Sequence, residues 1–381
     1  MKSLTDYISR PQSVITGKNN LEPLYSFKNV PVFMGCVDFS SKEEDICADM
    51  DWSICKDTGV IQLTKLIPLE VLYLNQHNEG CGSVWLEHYE SFSKFLQKYK
   101  PKNILEIGGA HGFIAQDYLD HVPGTEWTII EPNPTVIDSH SISVIQGWFD
   151  ENFKLEKEVD AVVHSHVLEH TYEPAEFIKH IAKFIKTGGK HFFSVPNMHE
   201  QLTRKYTNCL NFEHTMFITE YLVDYLLDQN GFKILEKEYF KEHSIFYATE
   251  KIENGLDANK LKNKYDEYKK LFSEFITYHE ELVADLNKQI EKSDLPVYLF
   301  GAHIFSQYLI AFGLNTDKII SVLDNGTAKQ GKRLYGTKFK VESPKILKEK
   351  GPVNIILKAG IYNEEIKRDI LENINDRAVF W

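Results

Sequence analysis

The sequence contains no apolar run long enough for a membrane-spanning helix, which requires about 20 consecutive apolar residues. Hydrophobic residues make up 43% of the chain, and charged residues are interspersed among them throughout. The first residues, from Met1 to Asp6, lack the apolar segment of a secretory signal. We therefore expect a cytoplasmic protein with no membrane partner.

The chain also has few cysteines and no excess of positive charge. The chain has five cysteines, an odd number without a pairing pattern, which indicates reduced thiols rather than a disulfide framework. Its formal net charge is -12, and a balance of that sign argues against a nucleic-acid partner. A small anionic substrate is still compatible, because it needs only a local basic pocket. The five cysteines are Cys36, Cys47, Cys55, Cys81 and Cys209.

One glycine turn lacks the G-x-G-x-x-G spacing of a dinucleotide fingerprint. An apolar run from Asn103 ends in Glu106, and Gly108 and Gly112 follow before a helical pattern begins at Phe113. Glycine lets the backbone approach a ligand because it tolerates positive φ, and the helix N-terminus behind it offers unpaired N–H groups. The acid would repel a pyrophosphate and suits a cationic, zwitterionic ligand. S-adenosylmethionine (SAM) is such a ligand, and we predict that Glu106, Gly108 and Gly112 bind it.

Further elements of the same kind of fold follow in order. A second apolar run ends in Glu131, about 20 residues after the turn, where an acid can accept both ribose hydroxyls. The next run contains Trp148 and Phe149, either of which could stack on adenine. A fourth strand leads into His166, which we place near the cofactor, with a packed turn as the alternative. Strands that alternate with helices predict a parallel, doubly wound sheet.

The chain divides into four parts. Residues 1–80 are rich in turn formers and predict a small irregular domain, whereas residues 81–253 hold the sheet. Residues 254–293 form a charged linker with a helical pattern over 257–292. The alternation of strands and helices restarts in residues 294–381, which predicts a smaller Rossmann-like domain. The expected fold class is therefore α/β, with a central doubly wound, Rossmann-like sheet between two smaller domains.

Three separated blocks follow the pattern of one family. They are Ser83-Val-Trp-Leu-Glu-His-Tyr89, Glu213-His214 with Phe217 behind it, and Phe300-Gly-Ala302 to Gly336-Thr337 with Lys329-Gln-Gly331 between them. The blocks resemble the nucleotide-sugar C-methyltransferases of deoxysugar biosynthesis, which are class I SAM-dependent methyltransferases. The resemblance implies an N-terminal zinc-binding domain, a central SAM domain and a C-terminal Rossmann-like domain. It also implies methylation of a carbon atom in a nucleotide-linked keto-deoxysugar.

The zinc site that the resemblance implies is degenerate. The family has two C-x-x-C-G knuckles, whereas this chain reads Ser13-Val-Ile-Thr-Gly17 and Cys55-Lys-Asp-Thr-Gly59. Three of the four thiolates are replaced by hydroxyls, which are poor zinc ligands. We expect no bound zinc, with Gly17 and Gly59 keeping their role in the two turns. The other donors in this region lack knuckle spacing; they are Cys36, Cys47 and His77.

By the same resemblance, proton transfer depends on a turn in the second half of the sheet domain. The family reads Tyr-His-Glu-His where this chain reads Asn211-Phe-Glu-His214, so only the Glu-His half is kept. His214 aligns with the family's catalytic histidine, and we predict it as the general base, since histidine titrates near neutral pH. Glu213 could orient a histidine or a substrate hydroxyl, and helix capping is its alternative role.

Other residues complete the predicted site. His170, at the tip of the fourth strand, is a second candidate for proton transfer, and Tyr89 matches a residue that lines the family's active site. We predict that His88, Asn211 and His243 contact the substrate, with core packing as the alternative role for His88 and Tyr89. A basic loop in the C-terminal domain could contact a diphosphate, although a solvated loop is the favoured interpretation; its residues are Lys329, Gln330 and Lys332.

Three functions remain open on the sequence alone. The first is SAM-dependent C-methylation of a nucleotide-linked keto-deoxysugar, in which a base forms an enolate before in-line methyl transfer. The second is O- or N-methylation of a sugar or related small metabolite, which the loss of the Tyr-His half favours. The third is a non-catalytic module that binds SAM or a nucleotide sugar, and the intact Glu106, Glu131 and Glu213-His214 argue against it.

Overall fold

The computed structural model describes residues 1–38, 41–73, 82–139, 141–253 and 261–381. The predicted donor His77, Cys81 and the first part of the predicted linker lie outside the described residues. No helix within the described ranges combines the length and the apolarity needed to cross a membrane.

The N-terminal residues form β-sheet rather than the irregular domain expected from the sequence. The elements are strands β1 (Lys2–Ser3), β2 (Ile8–Ser9), β3 (Leu21–Pro31), β4 (Cys36–Val37), β5 (Ile46–Cys55), β6 (Ile61–Leu63) and β7 (Lys65–Leu66), a 3₁₀ helix Lys42–Glu44 and helix α1 (Leu69–Leu72). β5 pairs with β1, β3 and β6, and β2 pairs with β7. Register shifts before Tyr25 and Val30 interrupt the pairing of β3, so its apolar residues do not follow a regular alternation in the sequence.

A seven-stranded sheet forms the centre of the molecule. Its strands are β8 (Asn103–Ile107), β9 (Glu126–Glu131), β10 (Ile142–Gln146), β11 (Ala161–Ser165), β12 (Lys190–Pro196), β13 (Phe232–Phe240) and β14 (Ser244–Lys251). The accompanying helices are α2 (Ser83–Gln97), α3 (Phe113–His121), α4 (Pro174–Phe184), α5 (Met198–Thr203) and α6 (Glu220–Gln229), with 3₁₀ helices Leu168–His170 and Thr207–Cys209. The strand order is β10-β9-β8-β11-β12-β14-β13, with β14 antiparallel to both of its neighbours. The predicted doubly wound α/β sheet is confirmed.

Helices cover both faces of this sheet. In β11, Val162 packs in one cluster with Ile178 of α4, whereas Val163 packs in another with Phe92 of α2 and Ile114 of α3. Such burial on both faces is typical of parallel strands. The carboxyl ends of β8, β9 and β11 meet at one edge, which is where open α/β sheets bind ligands.

A long helix, α7 (Tyr265–Lys292), connects the central sheet to the C-terminal domain. It begins later than the predicted start at residue 257, because residues 261–264 are not helical. The side chain of Asn263 accepts a hydrogen bond from the Tyr265 N–H at 2.9 Å and so marks the start. The buried face of α7 contributes to two cores; the residues are Tyr268, Phe272, Phe275 and Ile276 in the core of the N-terminal sheet and Val283, Leu286 and Ile290 in the C-terminal core.

The C-terminal residues form a second, smaller parallel sheet. Its elements are β15 (Val297–Phe300), α8 (Ile304–Ala311), β16 (Ile319–Leu323), β17 (Arg333–Leu334), β18 (Val341–Glu342), β19 (Val353–Leu357), α9 (Asn363–Asn373) and β20 (Ala378–Phe380), with 3₁₀ helices Pro344–Leu347 and Gly360–Tyr362. The strand order is β18-β16-β15-β19-β20, and β17 pairs instead with β4 of the N-terminal region. The expected Rossmann-like alternation is present, with two short edge strands that the sequence did not indicate.

Candidate active site

The glycine turn after β8 forms a pocket at the carboxyl edge of the central sheet. Gly108 and Gly112 both have positive φ, 77° and 67°. A Cβ atom on Gly108 would lie 2.7 Å from a methyl group of Val167, and one on Gly112 would lie 2.7 Å from a methyl group of Val136. Only glycine therefore fits at these two positions. The pocket is lined by the turn residues 108–114 together with Tyr89, Glu106 and Ser165.

Glu106 is the charged group of this pocket. Its side chain is buried, and its Oε2 accepts a hydrogen bond from Trp127 Nε1 at 2.8 Å. Burial raises the pKa of Glu106 to about 7, against the opposing effect of the indole N–H. A buried carboxylate with one donor is a poor site for phosphate and a good site for a cation. The Glu106 carboxylate is therefore a suitable hydrogen-bond acceptor for the ammonium group of SAM.

Glu131 ends β9 directly beside the glycine turn, since β8 and β9 pair in parallel. Its Oε1 accepts a hydrogen bond from the Asn133 N–H at 2.9 Å, and its side chain is half-buried. Burial raises the pKa of this carboxyl as well. The position suits the ribose hydroxyls predicted for it.

The two rings predicted to stack on adenine have different surroundings. Trp148 is 52% exposed, and its ring lies 6.2 Å from that of Tyr73. Phe149 instead packs against Phe153 of its own loop and against three rings of α4, which are Phe177, His180 and Phe184. Trp148 is therefore the ring of the two that remains accessible for stacking.

Three of the predicted catalytic residues, His170, Glu213 and His214, lie together on two loops, whereas Tyr89 lies on α2 at the glycine pocket. His170 ends the 3₁₀ helix that follows β11, and its ring lies 5.0 Å from that of His214 at 88°. His170 Nδ1 lies 3.5 Å from Glu213 Oε2. The fully buried Glu169 is next to them, with its Oε1 4.0 Å from His170 Nε2. Helix capping does not explain Glu213, because the next helix begins only at Glu220.

The N-terminal sheet holds the loop that carries Glu213 and His214. The Leu63 N–H donates to the Thr215 carbonyl at 2.9 Å, and the Phe217 N–H donates to the Ile61 carbonyl at 2.8 Å. The buried guanidinium of Arg10 donates to the carbonyls of Leu63 and Thr215. The loop is therefore paired to β6 as if it were a further strand, which fixes the positions of Glu213 and His214.

Burial sets the charge states in this cluster. It lowers the pKa of His214 to about 4, helped by the neighbouring His170 and opposed by Glu169 and Glu213. Burial by itself would raise the pKa of Glu169, but the adjacent histidines outweigh it and hold that pKa below its usual value. At neutral pH His214 is therefore uncharged and able to accept a proton. Its backbone N–H donates to Asn211 Oδ1 at 2.5 Å, so Asn211 shapes this turn.

Tyr73 is a site residue that was not predicted. Burial raises the pKa of its phenol, and the carboxylates of Glu213, Glu131 and Glu169 raise it further. The phenol therefore stays protonated at neutral pH, and its ring lies 6.2 Å from that of Trp148. Tyr73 follows the short helix α1 outside the central sheet, so the order of the strands gave no signal for it.

Three further histidines meet beside the glycine pocket. His88 of α2 is fully buried, and the rings of His166 and His243 lie 5.2 Å and 5.6 Å from it. Trp85 packs edge-on against His166 and His243. The structure thus gathers three residues that the sequence assigned separately to cofactor and substrate, and Tyr89 also lies at this pocket.

The degenerate knuckles keep their backbone geometry. The Gly17 N–H donates to the Ser13 carbonyl at 2.7 Å, and the Gly59 N–H donates to the Cys55 carbonyl at 2.8 Å. Both glycines have positive φ. The Cys55 thiol lies 3.3 Å from Asn20 Oδ1. The turns are thus held by backbone hydrogen bonds and a buried polar contact.

Two side chains of the basic loop of the C-terminal domain are bound to Asp324. Lys329 Nζ lies 3.4 Å from Asp324 Oδ2, and Gln330 Nε2 donates to the Asp324 carbonyl at 3.0 Å. The Asp324 carboxylate also accepts from the Ala302 N–H at 2.8 Å, at the turn after β15. Lys329 and Gln330 thus brace this turn, while residues 325, 327, 328 and 331 of the same loop are exposed. Lys332 is half-buried on the same loop.

Two family models match separate parts of the chain. Residues 85–237 match a methyltransferase domain, and residues 241–380 match a C-methyltransferase C-terminal domain. The first match ends within β13 and the second begins in the turn after it, so the second match includes β14 of the central sheet. No curated protein matched the chain significantly.

The matches and the site together identify the chain as a SAM-dependent methyltransferase. The order of the central strands, with one antiparallel strand, is that of the class I fold. SAM is the cofactor, and the alternative of a non-catalytic binding module is set aside.

Several solved methyltransferase structures are similar to part of the chain. An O-methyltransferase family protein from Burkholderia thailandensis is 13% identical, with 44% of this chain and 56% of that chain covered at a TM-score of 0.36. The chain thus spans about half the length of that protein. An N-methyltransferase from Bradyrhizobium japonicum is 17% identical, with 45% and 97% covered at a TM-score of 0.35. A riboflavin-analogue dimethyltransferase from Streptomyces davawensis is 18% identical, with 44% and 56% covered at a TM-score of 0.36. Likeness at this level does not identify a reaction.

Proposed function

We propose that this enzyme transfers a methyl group from SAM to a carbon atom of a nucleotide-linked keto-deoxysugar. The observation that carries the proposal is the grouping of His170, Glu213 and His214 at the sheet edge that holds the glycine pocket. A group of this kind can take a proton from the carbon next to a ketone. The match of residues 241–380 to a C-methyltransferase C-terminal domain supports a carbon acceptor.

His214 is the general base in this proposal. Its lowered pKa keeps the imidazole neutral before reaction. Once it has taken the proton, the imidazolium is stabilised by the carboxylates of Glu213 and Glu169, whose charges already favour its protonation. His170, close to Glu213, keeps that carboxylate directed into the cluster.

The enolate that remains on the substrate needs a hydrogen-bond donor. The phenol of Tyr73 is a suitable donor, because its raised pKa keeps it protonated near the Glu213 carboxylate. SAM, when bound, supplies the methyl group as a sulfonium electrophile. Glu106 and Glu131 hold the two ends of the cofactor, so that the attacking carbon and the methyl group can align.

Methylation of an oxygen or nitrogen atom is the second candidate. It is favoured by Asn211, which stands where the resemblance implies a tyrosine and which uses its side-chain oxygen to bind the His214 N–H. A hydroxyl acceptor needs a base but no enolate stabiliser, so the loss of one phenol would matter less.

A substrate panel separates the two candidates. The purified enzyme is incubated with methyl-labelled SAM and nucleotide sugars that have or lack a ketone, and the bonding of the labelled methyl group is assigned by NMR. Carbon-bound label in keto sugars alone is the expected result. Label bound to oxygen or nitrogen, or transfer to a sugar without a ketone, contradicts carbon methylation.

The base is tested with His214→Ala. This change should lower kcat by about 100-fold or more, because general-base catalysis is lost, while the affinity for SAM is retained. His121→Ala is the matched control, since His121 is exposed at the end of α3. Equal turnover of the two variants would show that His214 is not the base.

A further inference from the structure

Three histidines from distant parts of the chain converge beside the glycine pocket. His88 lies on α2, His166 follows β11, and His243 lies in the turn before β14. One ring nitrogen of each can be chosen so that all three lie within 4.8 Å of one another. The backbone of His166 has a φ of 52°, a left-handed conformation that is uncommon outside glycine and often marks functional sites.

His88 is buried without a polar partner. Its side chain is 0% exposed, and neither ring nitrogen has a hydrogen bond to any described residue. Apart from the histidines, its neighbours are the rings of Trp85, Tyr89, Phe92, Phe240 and Phe246. A buried polar group without a partner destabilises the folded state. A ligand between the three imidazoles would remove that destabilisation.

The other two imidazoles are held in place by neighbouring side chains. The Ser244 hydroxyl lies 2.8 Å from His166 Nε2 and 2.6 Å from His243 Nδ1, so it is the shared hydrogen-bond partner that holds these two rings, and an ion bound at His166 Nε2 would replace this contact. The opposite nitrogen of His166, Nδ1, lies 3.1 Å from Oε1 of the buried Glu169. A carboxylate behind a histidine is the common support of a metal ligand, because it fixes the ring and its tautomer.

The charges in this region also suit a cation. His88 is fully buried among aromatic rings, and such surroundings favour the neutral imidazole, which is the form that binds metal ions. The buried carboxyl group of Glu169 lies on the far side of His166.

We propose that His88, His166 and His243 bind a divalent transition-metal ion. Three imidazole ligands suit Zn²⁺, Co²⁺, Ni²⁺ or Cu²⁺ rather than Mg²⁺ or Ca²⁺. Three protein ligands leave a fourth position for water or a ligand oxygen, as in catalytic rather than structural zinc sites. This site is separate from the degenerate cysteine knuckles, and it does not depend on which atom the enzyme methylates.

A second group of ligand atoms lies nearby and must be distinguished. Glu169, His170 and His214 also place one ligand atom each within 4.8 Å of one another. His243→Ala removes a ligand from the three-histidine site alone, whereas His214→Ala removes one from the second group alone. The two variants therefore assign a bound ion to one group or the other.

The test uses Co²⁺ as the probe with the full-length, chelator-treated protein in the absence of SAM and substrate. Visible absorption is titrated for the wild type, His243→Ala and His214→Ala, after circular dichroism has shown that each is folded. His88→Phe, which keeps an aromatic ring in the buried position, is a second variant of the proposed site.

We expect one Co²⁺ per chain with tetrahedral-type absorption in the wild type and in His214→Ala. His243→Ala and His88→Phe should each weaken binding by at least about 100-fold, because removing one of three ligands leaves only two. Absence of stoichiometric binding in the wild type, or its retention in His243→Ala, overturns the proposal. Because no methyl transfer is measured, failure here leaves the proposed reaction unaffected.

Discussion

Replacing Glu106 by glutamine should stabilise the central sheet above neutral pH while it weakens SAM binding. The carboxylate is buried at the end of β8 with one hydrogen bond, from Trp127 Nε1. Glutamine keeps an oxygen for that indole but cannot ionise. A comparison of the variant with wild type therefore measures how much the ionised Glu106 carboxylate destabilises the folded protein.

The size of the effect follows from the pKa. Burial raises the pKa of Glu106 from 4.5 to about 7, so protonation favours the folded state. That contribution is complete below about pH 4.5 and is lost as the pH rises through about 7. One pKa unit corresponds to about 1.4 kcal/mol, so ionisation costs the folded state about 3 kcal/mol at pH 8. Between pH 5 and pH 8, the stability of the variant should rise by about 2–3 kcal/mol relative to wild type.

Native-state hydrogen exchange of the β8 and β9 amides is a suitable assay, because it reports local stability in a chain with several domains. Glu291→Gln on α7 is the control, since that glutamate is exposed and its replacement should give no comparable change with pH. A difference between Glu106→Gln and wild type that does not grow from pH 5 to pH 8 would refute the reasoning.

The same variant tests the predicted contact with the cofactor. Loss of a charged partner for the SAM ammonium should cost about 1.5–3 kcal/mol, or roughly 10- to 150-fold in affinity. Calorimetry at pH 8 measures this directly. Unchanged affinity would show that Glu106 does not contact the cofactor.

Three further changes address the supports of the site. Gly59→Ala should lower the free energy of unfolding, measured in urea, by at least about 2 kcal/mol more than Gly17→Ala does. Both glycines have positive φ, but only a Cβ on Gly59 would meet backbone, 2.6 Å from the Lys264 carbonyl carbon. Equal losses in the two variants would contradict this. Arg10→Met should lower kcat at least about tenfold and leave SAM affinity unchanged, because the buried guanidinium holds the loop that carries Glu213 and His214. Wild-type turnover of this variant in steady-state kinetics would refute that role. Tyr73→Phe should lower kcat at saturating SAM by about 100-fold, because the phenol is the proposed hydrogen-bond donor to the enolate. A smaller loss of kcat than that of Arg10→Met would contradict this role of Tyr73.

The central sheet could be predicted because its strands are continuous apolar runs. Val162 and Val163 are buried on opposite faces of β11, so no polar alternation was needed to identify the strand. The glycine turn was recognisable for a related reason, since Gly108 and Gly112 occupy positions that a Cβ would block.

The N-terminal sheet could not be predicted in the same way. Register shifts before Tyr25 and Val30 disrupt the pairing of β3, and the positive φ of Asn29 adds a turn residue inside the strand. The pattern therefore resembles a series of turns. Pairing with β5 decides the structure, and such long-range contacts leave little trace in a local pattern.

The cofactor-binding residues could be predicted because they lie at the ends of successive strands. Residues that come together only through long-range contacts could not. Glu106 and Glu131 end successive strands, so their meeting follows from parallel pairing. By contrast, His88, His166 and His243 come from segments without any common spacing. Nothing in the sequence indicated that they share one centre, or that Tyr73 lies near Glu213.

The central claim is that His214 removes a proton from carbon before methyl transfer. Deuterium exchange in D₂O tests it most directly, with a keto nucleotide sugar and S-adenosylhomocysteine in place of SAM, so that enolate formation occurs without methylation. Wild-type enzyme should exchange the hydrogen on the carbon next to the ketone, and His214→Ala should not. Absence of exchange in the wild type, with substrate binding shown separately, would contradict carbon methylation through an enolate.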